Sequence, residues 1–221
     1  MAIDPTLACI QTLTLKALRL RASQTLQIHS ESAGASKEEV QFLAAIENKG
    51  VMVGPHSTNG VKNTLEPGAE YTVRGFNGQY DFSFTTRGIQ IFEQPFVYAM
   101  LAYPDAVEAR LVRRALRLKT THPAKVIQPD QPDPLEVTLI DVSRFGSMVH
   151  SPATLGMVGN FVDLSFLMEF EGDSVNLSIP SKICHSNKST PDSGFNVGLA
   201  FQPASNSDKL LLHFLAQSSS D

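Results

Sequence analysis

The chain has 221 residues, 42% of them hydrophobic, and its 18 Lys and Arg against 22 Asp and Glu leave a formal charge of −4. That length allows one large domain or two small ones, each able to bury a core. The acidic balance excludes a generic polyanion binder and makes basic character local, which favours a small anionic ligand over a nucleic-acid track.

Residues 7–21 carry Leu7, Ile10, Leu13, Leu15, Leu18 and Leu20 among polar neighbours, which fits a short amphipathic helix or an extended arm. From about residue 24 to residue 102 the pattern is β. Thr25 to His29, Tyr71 to Arg74 and Tyr80 to Thr85 alternate apolar with polar residues, as half-buried strands do. Turn residues separate these runs: Asn48-Lys49-Gly50, Asn59-Gly60, Pro67-Gly68 and Asn77-Gly78. The last lies between two alternating runs and predicts a tight hairpin. Strands this short and evenly spaced predict a barrel.

The second half is again β-rich, with strands expected at 116–121, 135–140, 147–150, 161–170, 174–186 and 195–202. Pro129, Pro132 and Pro134 predict a loop, where fixed φ and a missing donor do no harm. Asn187 to Ser193 reads as a polar hairpin loop. Asp208 to Ala216 reads as a short terminal helix, with Asp208 as its N-cap and its apolar face covering the barrel.

Two motifs stand out. Four of the nine arginines, Arg110, Arg113, Arg114 and Arg117, fall within eight residues. After the proline-rich stretch, Asp141-Val142-Ser143-Arg144-Phe145-Gly146 places Asp-x-Ser-x-x-Gly where an apolar strand meets a turn. Guanidinium groups are planar, permanently charged forks that match phosphate oxygens and the O6/N7 edge of guanine. The Asp141 carboxylate can accept from guanine N1–H and its exocyclic amine, and the Ser143 hydroxyl can bond a phosphate or its own turn. Gly146 permits close approach of a ligand or positive φ. The same residues also allow a plainer account: Arg113 and Arg117 could share the solvated face of a helix, and Asp141 to Gly146 could be an ordinary Asx-type turn.

An arginine pair four apart followed by Asp-x-Ser-x-x-Gly, with Asn196-Val197-Gly198-Leu199-Ala200-Phe201 near the end, resembles the PilZ domain. That resemblance implies a ligand, the second messenger cyclic di-GMP, and implies ligand-binding roles for Arg113, Arg114, Arg117, Asp141, Ser143, Gly146 and Gly198. Upstream, Val51-Met52-Val53-Gly54-Pro55, Leu65-Glu66-Pro67-Gly68, Tyr80-Asp81-Phe82 and Leu101-Ala102-Tyr103-Pro104 resemble the N-terminal domain of YcgR-type flagellar brake proteins, a split barrel similar to flavin reductases. The expected fold class is all-β, with two β-barrel domains, a split barrel over 1–109 and a PilZ barrel over 110–221, and a short C-terminal helix. The expected function is a cyclic di-GMP receptor that changes its interdomain arrangement and regulates motility, or another surface-lifestyle system, through a flagellar-motor or other protein partner. Family members often carry an arginine just before the first motif arginine, stacking on a second nucleotide. Val112 stands there, which implies one ligand per chain.

Several expectations are negative. With neither a Gly-x-Ser-x-Gly elbow nor a Walker loop nor a paired-histidine motif, no catalytic residue, metal site or cofactor is expected. The alternatives are a flavin-binding split-barrel reductase and a ligand-free structural adaptor. Cys9 and Cys184 are unpatterned and expected as free thiols, and His185 is expected on an edge strand. The absence of a bilayer-length apolar run and of a signal-type N-terminus predicts a cytoplasmic protein, recruited to the flagellar basal body if it acts there, with no membrane insertion and no nucleic-acid partner; dimerisation is left open. Without ligand the arginine segment is expected to be self-repelling, with Asp105 and Glu108 as its acidic neighbours.

Overall fold

Alternation of the kind seen in Phe161–Phe170, where every second side chain is buried, builds almost the whole molecule. The computed structural model describes residues 9–30, 37–55, 65–129, 131–170, 172–189, 193–202 and 205–217. The chain divides into two compact units, 1–114 and 115–221. The Asn59-Gly60 turn lies outside the described residues.

The first unit contains β1 (Ile10–Leu13), β2 (Thr25–Ser30), β3 (Lys37–Ile46), β4 (Gly50–Pro55), β5 (Glu70–Phe76), β6 (Tyr80–Phe92), β7 (Tyr98–Leu101) and β8 (Val107–Leu111). Its closure depends on the length of β6. One edge of β6 pairs with β5 from Asp81 to Arg87. The other edge is used twice, by β8 at Tyr80 to Ser83 and by β7 at Gly88 to Phe92. The ring β6-β5-β2-β3-β4-β7 therefore closes, while β8 and β1 extend the sheet beyond it. The Asn77-Gly78 hairpin forms as expected: Gly78 takes φ 96°, and Asn77 Oδ1 accepts from the Gln79 and Tyr80 amides at 3.0 and 2.7 Å. The stretch expected as a helix or arm is instead β1 followed by a single 3-10 turn, Leu15–Leu18. Thr14 caps that turn by accepting from the Ala17 amide, and Leu15 and Leu18 enter the core, so burial of two leucines sets the conformation.

The second unit is a closed six-stranded barrel. Its strands are β9 (Leu118–Gln128), β10 (Gln131–Ser143), β11 (Gly146–Ser151), β12 (Phe161–Phe170), β13 (Asp173–Lys188) and β14 (Phe195–Phe201), in the order β10-β11-β14-β13-β12-β9. Val126, Leu139, Leu164, Ile179, Ile183 and Val197 fill it. Pro132 and Pro134 lie within β10 rather than in a loop, a correction to the sequence expectation. The β9–β10 register slips between Gln131 and Leu135, so these donor-less residues fall where the ladder is already irregular. The terminal helix α1 (Asn206–Gln217) covers the barrel by sending Leu212, 1% exposed, into its core. Its cap is Ser205, not Asp208. Ser205 Oγ accepts from the Asp208 amide at 3.0 Å and Asp208 Oδ2 accepts from the Ser205 amide at 3.1 Å, a reciprocal capping box with the acid at its third position.

Candidate nucleotide site on the second barrel

Two irregularities shape the outer wall of this barrel. On β10, Val137 and Leu139 face the core, so strict alternation would put Asp141 inside as well. Instead the pairing with β11 steps from Leu139↔Val149 to Asp141↔Met148, spending two residues of β10 on one of β11. This bulge at Ile140 reverses the phase, so that Val142 is the next core residue and Asp141 turns outward. On β13 the pairing steps from Ile183↔Leu199 to His185↔Gly198, with Cys184 as the extra residue. The second bulge turns His185 outward as the first turns Asp141.

Asp141 is fixed at both oxygens. Oδ1 accepts from the Met148 amide at 3.1 Å and Oδ2 accepts from Arg117 Nη1 at 3.2 Å. Arg117 lies one residue before β9, and its side chain is more exposed than that of Asp141, 35% against 18%. The pair thus presents a guanidinium toward solvent from a carboxylate anchored to the sheet. Ser143, buried, donates to the Gly146 carbonyl at 3.1 Å and accepts from the Phe145 amide at 3.4 Å. Its hydroxyl thus braces its own turn. The Phe145 carbonyl is held in turn by the Phe201 amide, and Arg144 stacks over the Phe145 ring at 4.5 Å. Gly146 is required by close approach: a Cβ there would collide with the Leu199 carbonyl of β14.

Arg117, Asp141, Ser143 and Gly146 therefore come together at one end of β9, β10 and β11. Gly198 joins them through the register, because Asp141 pairs with Met148 and Met148 with Gly198. Arg113 and Arg114 are held in the first unit. The Val112 and Arg113 amides donate to the Gln79 carbonyl, Gln79 Nε2 donates to the Arg114 carbonyl at 3.3 Å, and the Arg113 guanidinium lies 5.1 Å from the Phe76 ring centre. Arg110 pairs with Asp81 at 3.1 Å. Repulsion within the segment is relieved: Asp81 and Asp141, both distant in sequence, compensate Arg110 and Arg117.

His185 lies beyond the pairing of β13 with β12, which ends at Lys182, so among the described residues β14 alone flanks it and the residue sits at a local edge, as expected. Neither its outward turn nor the contribution of the Met148 amide was visible from spacing, because both depend on register. Among the described residues no group of three or more His, Cys, Asp or Glu could hold a metal ion, and no helix is long and apolar enough to cross a membrane. A separate cleft of about 820 Å³ opens elsewhere on the barrel. There β9 and β12 part company beyond the Ala124↔Phe166 pair, and Val137, Phe166 and Met168 line it.

Residues 111–217 match the family model of the PilZ domain. No curated protein matches the chain by sequence. Among solved structures the chain is similar to the inhibitor of motility MotI/DgrA of Bacillus subtilis, with 14% identity, TM-score 0.47 and coverage of 89% of this chain and 96% of that one. It is also similar to YcgR of Escherichia coli in complex with c-di-GMP, with 16% identity, TM-score 0.42 and coverage of 89% and 83%. The resemblance read from the motifs of the second half is met again in the family model: residues 111–217, which hold both motifs, match the PilZ domain.

Proposed function

We propose that the protein is a cyclic di-GMP receptor whose site is the outer wall formed by Arg117, Asp141 and the Ser143–Gly146 turn. The observation that carries this reading is the Arg117–Asp141 pair, anchored by the Met148 amide and turned outward by a bulge. A guanidinium held on a carboxylate is oriented before ligand arrives, so less side-chain freedom is lost on binding. Its remaining donors suit phosphate oxygens or the guanine O6/N7 edge, and the Asp141 carboxylate suits guanine N1–H and the amine. Gly146 lets β14 approach closely, and Gly198 leaves room for the His185 ring. Arg113 and Arg114, a few residues upstream in the chain, are further phosphate donors. Val112 offers neither charge nor a stacking plane, which supports one ligand per chain.

The chain passes from one unit to the other between Arg114 and Ala115. A dianionic ligand that gathers this arginine segment would change the arrangement of the units and alter a surface read by a protein partner in motility or a related system. The protein acts by binding rather than catalysis in this account, and its acidic charge favours a protein partner over nucleic acid. Calorimetric titration tests it. Wild type should saturate with cyclic di-GMP at one per chain, and Arg117→Ala should bind more than tenfold more weakly, the loss of a charge-assisted contact worth about 1.5–3 kcal/mol. Undetectable binding by wild type refutes the receptor reading. Small-angle scattering that is unchanged on saturation refutes the rearrangement alone.

A further inference from the structure

The two bulges fall on one row of the barrel. Lys119, Asp141, Met148, Gly198 and His185 are successive cross-strand partners on β9, β10, β11, β14 and β13. Directly paired residues share a face of the sheet, so the side chains turned outward at the two bulges, Asp141 and His185, bracket Met148 and Gly198 on the outer wall. Bulges beside functional sites commonly re-aim a single side chain, and here two do so on the same row.

His185 has three further properties. Its ring occupies the space beside Gly198 that any Cβ at that position would need. It is half-buried. In contrast to His150, whose Nδ1 lies 3.2 Å from Asn196 Oδ1, its ring nitrogens have no hydrogen-bond partner among the described residues. A half-buried imidazole with no hydrogen-bond partner among the described residues, set beside a glycine on the same row as an anchored carboxylate, is suited to hydrogen-bond a ligand lying across the row. The span of three inter-strand spacings of about 4.8 Å each is far more than one hydrogen bond covers. It calls for an extended, base-bearing ligand rather than a lone phosphate.

We propose that His185 is a ligand-contacting, specificity-determining residue of this site, whose ring N–H donates to the O6/N7 edge of a purine base held between it and Asp141. Gly198 serves by leaving room for that ring. This rests on the receptor reading above, and the test separates the two. Titrate cyclic di-GMP into wild type, Arg117→Ala, His185→Ala and His185→Gln, the last keeping a donor at comparable reach. His185→Ala should weaken binding by about fivefold to tenfold, as expected for one hydrogen bond, while His185→Gln stays within about threefold of wild type. A packing role would not give that rescue. In wild type, the His185 ring nitrogens followed by long-range proton–nitrogen NMR should shift on saturation, a readout that needs no substitution. Arg117→Ala weakened with His185→Ala unaffected, or unmoved ring resonances at saturation, overturns the role of His185 alone. Arg117→Ala binding like wild type overturns the site and this inference with it.

Discussion

Gly146→Ala offers a test of the wall that needs no ligand. A Cβ at residue 146 would press on the Leu199 carbonyl and approach the Ala200 Cα. Both are backbone toward the C-terminal end of β14, with Gly146 itself paired to Ala200 and Ser147 to Leu199. No flexible side chain can move aside, so β11 and β14 must separate locally. Overpacking of this kind costs about 1–3 kcal/mol, against which the reduced freedom of the unfolded chain returns roughly 0.4–1 kcal/mol. The net loss is on the order of 1–2 kcal/mol, which for a domain of this size lowers the unfolding midpoint by about 5–15 °C. Thermal unfolding followed by NMR at amides of β11 and β14 reads it within the second unit. Gly172→Ala is the control: it takes φ 90° with nothing near its absent Cβ, so its cost is conformational and leaves the β11–β14 ladder intact. A Gly146→Ala midpoint equal to or above wild type would refute the argument from close approach.

Leu212→Ala should destabilise the second unit by about 2–5 kcal/mol, since it empties a fully buried position that fastens α1 to the barrel; chemical denaturation measures it, and a cost under about 1 kcal/mol would mean that the helix is not part of the core. Ser205→Ala should remove half of the capping box and cost about 0.5–2 kcal/mol, with faster amide exchange confined to the first turn of α1; uniform exchange along the helix would contradict that cap. Asp141→Ala should weaken cyclic di-GMP binding and also release Arg117 and the Met148 amide, so faster exchange at Met148 should accompany the loss of affinity.

The β12 strand could be read from its strict alternation, and the hairpin from Asn77-Gly78, because both are local consequences of side-chain period and turn geometry. Asp141 and Ser143 were visible as motif residues for the same reason. What stayed hidden depends on register. Nothing in Leu135 to Ser143 announces that Ile140 is an extra residue against β11, yet that residue decides whether Asp141 faces the core or solvent. The local edge at His185 could be read, but not the extra residue Cys184 that turns its side chain outward. The prolines at 132 and 134 misled because a strand tolerates them where its ladder has already slipped. The compensation of Arg110 and Arg117 was out of reach of any sequence window, since their partners lie 29 and 24 residues away. The capping box was narrowly missed: Ser205 stands three residues before the acid that was taken for the cap.

The central claim is that cyclic di-GMP sits on the outer wall of the second barrel, at Arg117 and Asp141. Backbone NMR of the whole chain, titrated with cyclic di-GMP, tests it most directly. The account predicts that the largest amide shifts fall at Arg117, Asp141, Phe145 and Met148 and at Gly198, with little change around the cleft lined by Phe166 and Met168. Shifts centred on that cleft or on the first unit, with Asp141 and Met148 unmoved at saturation, would contradict it.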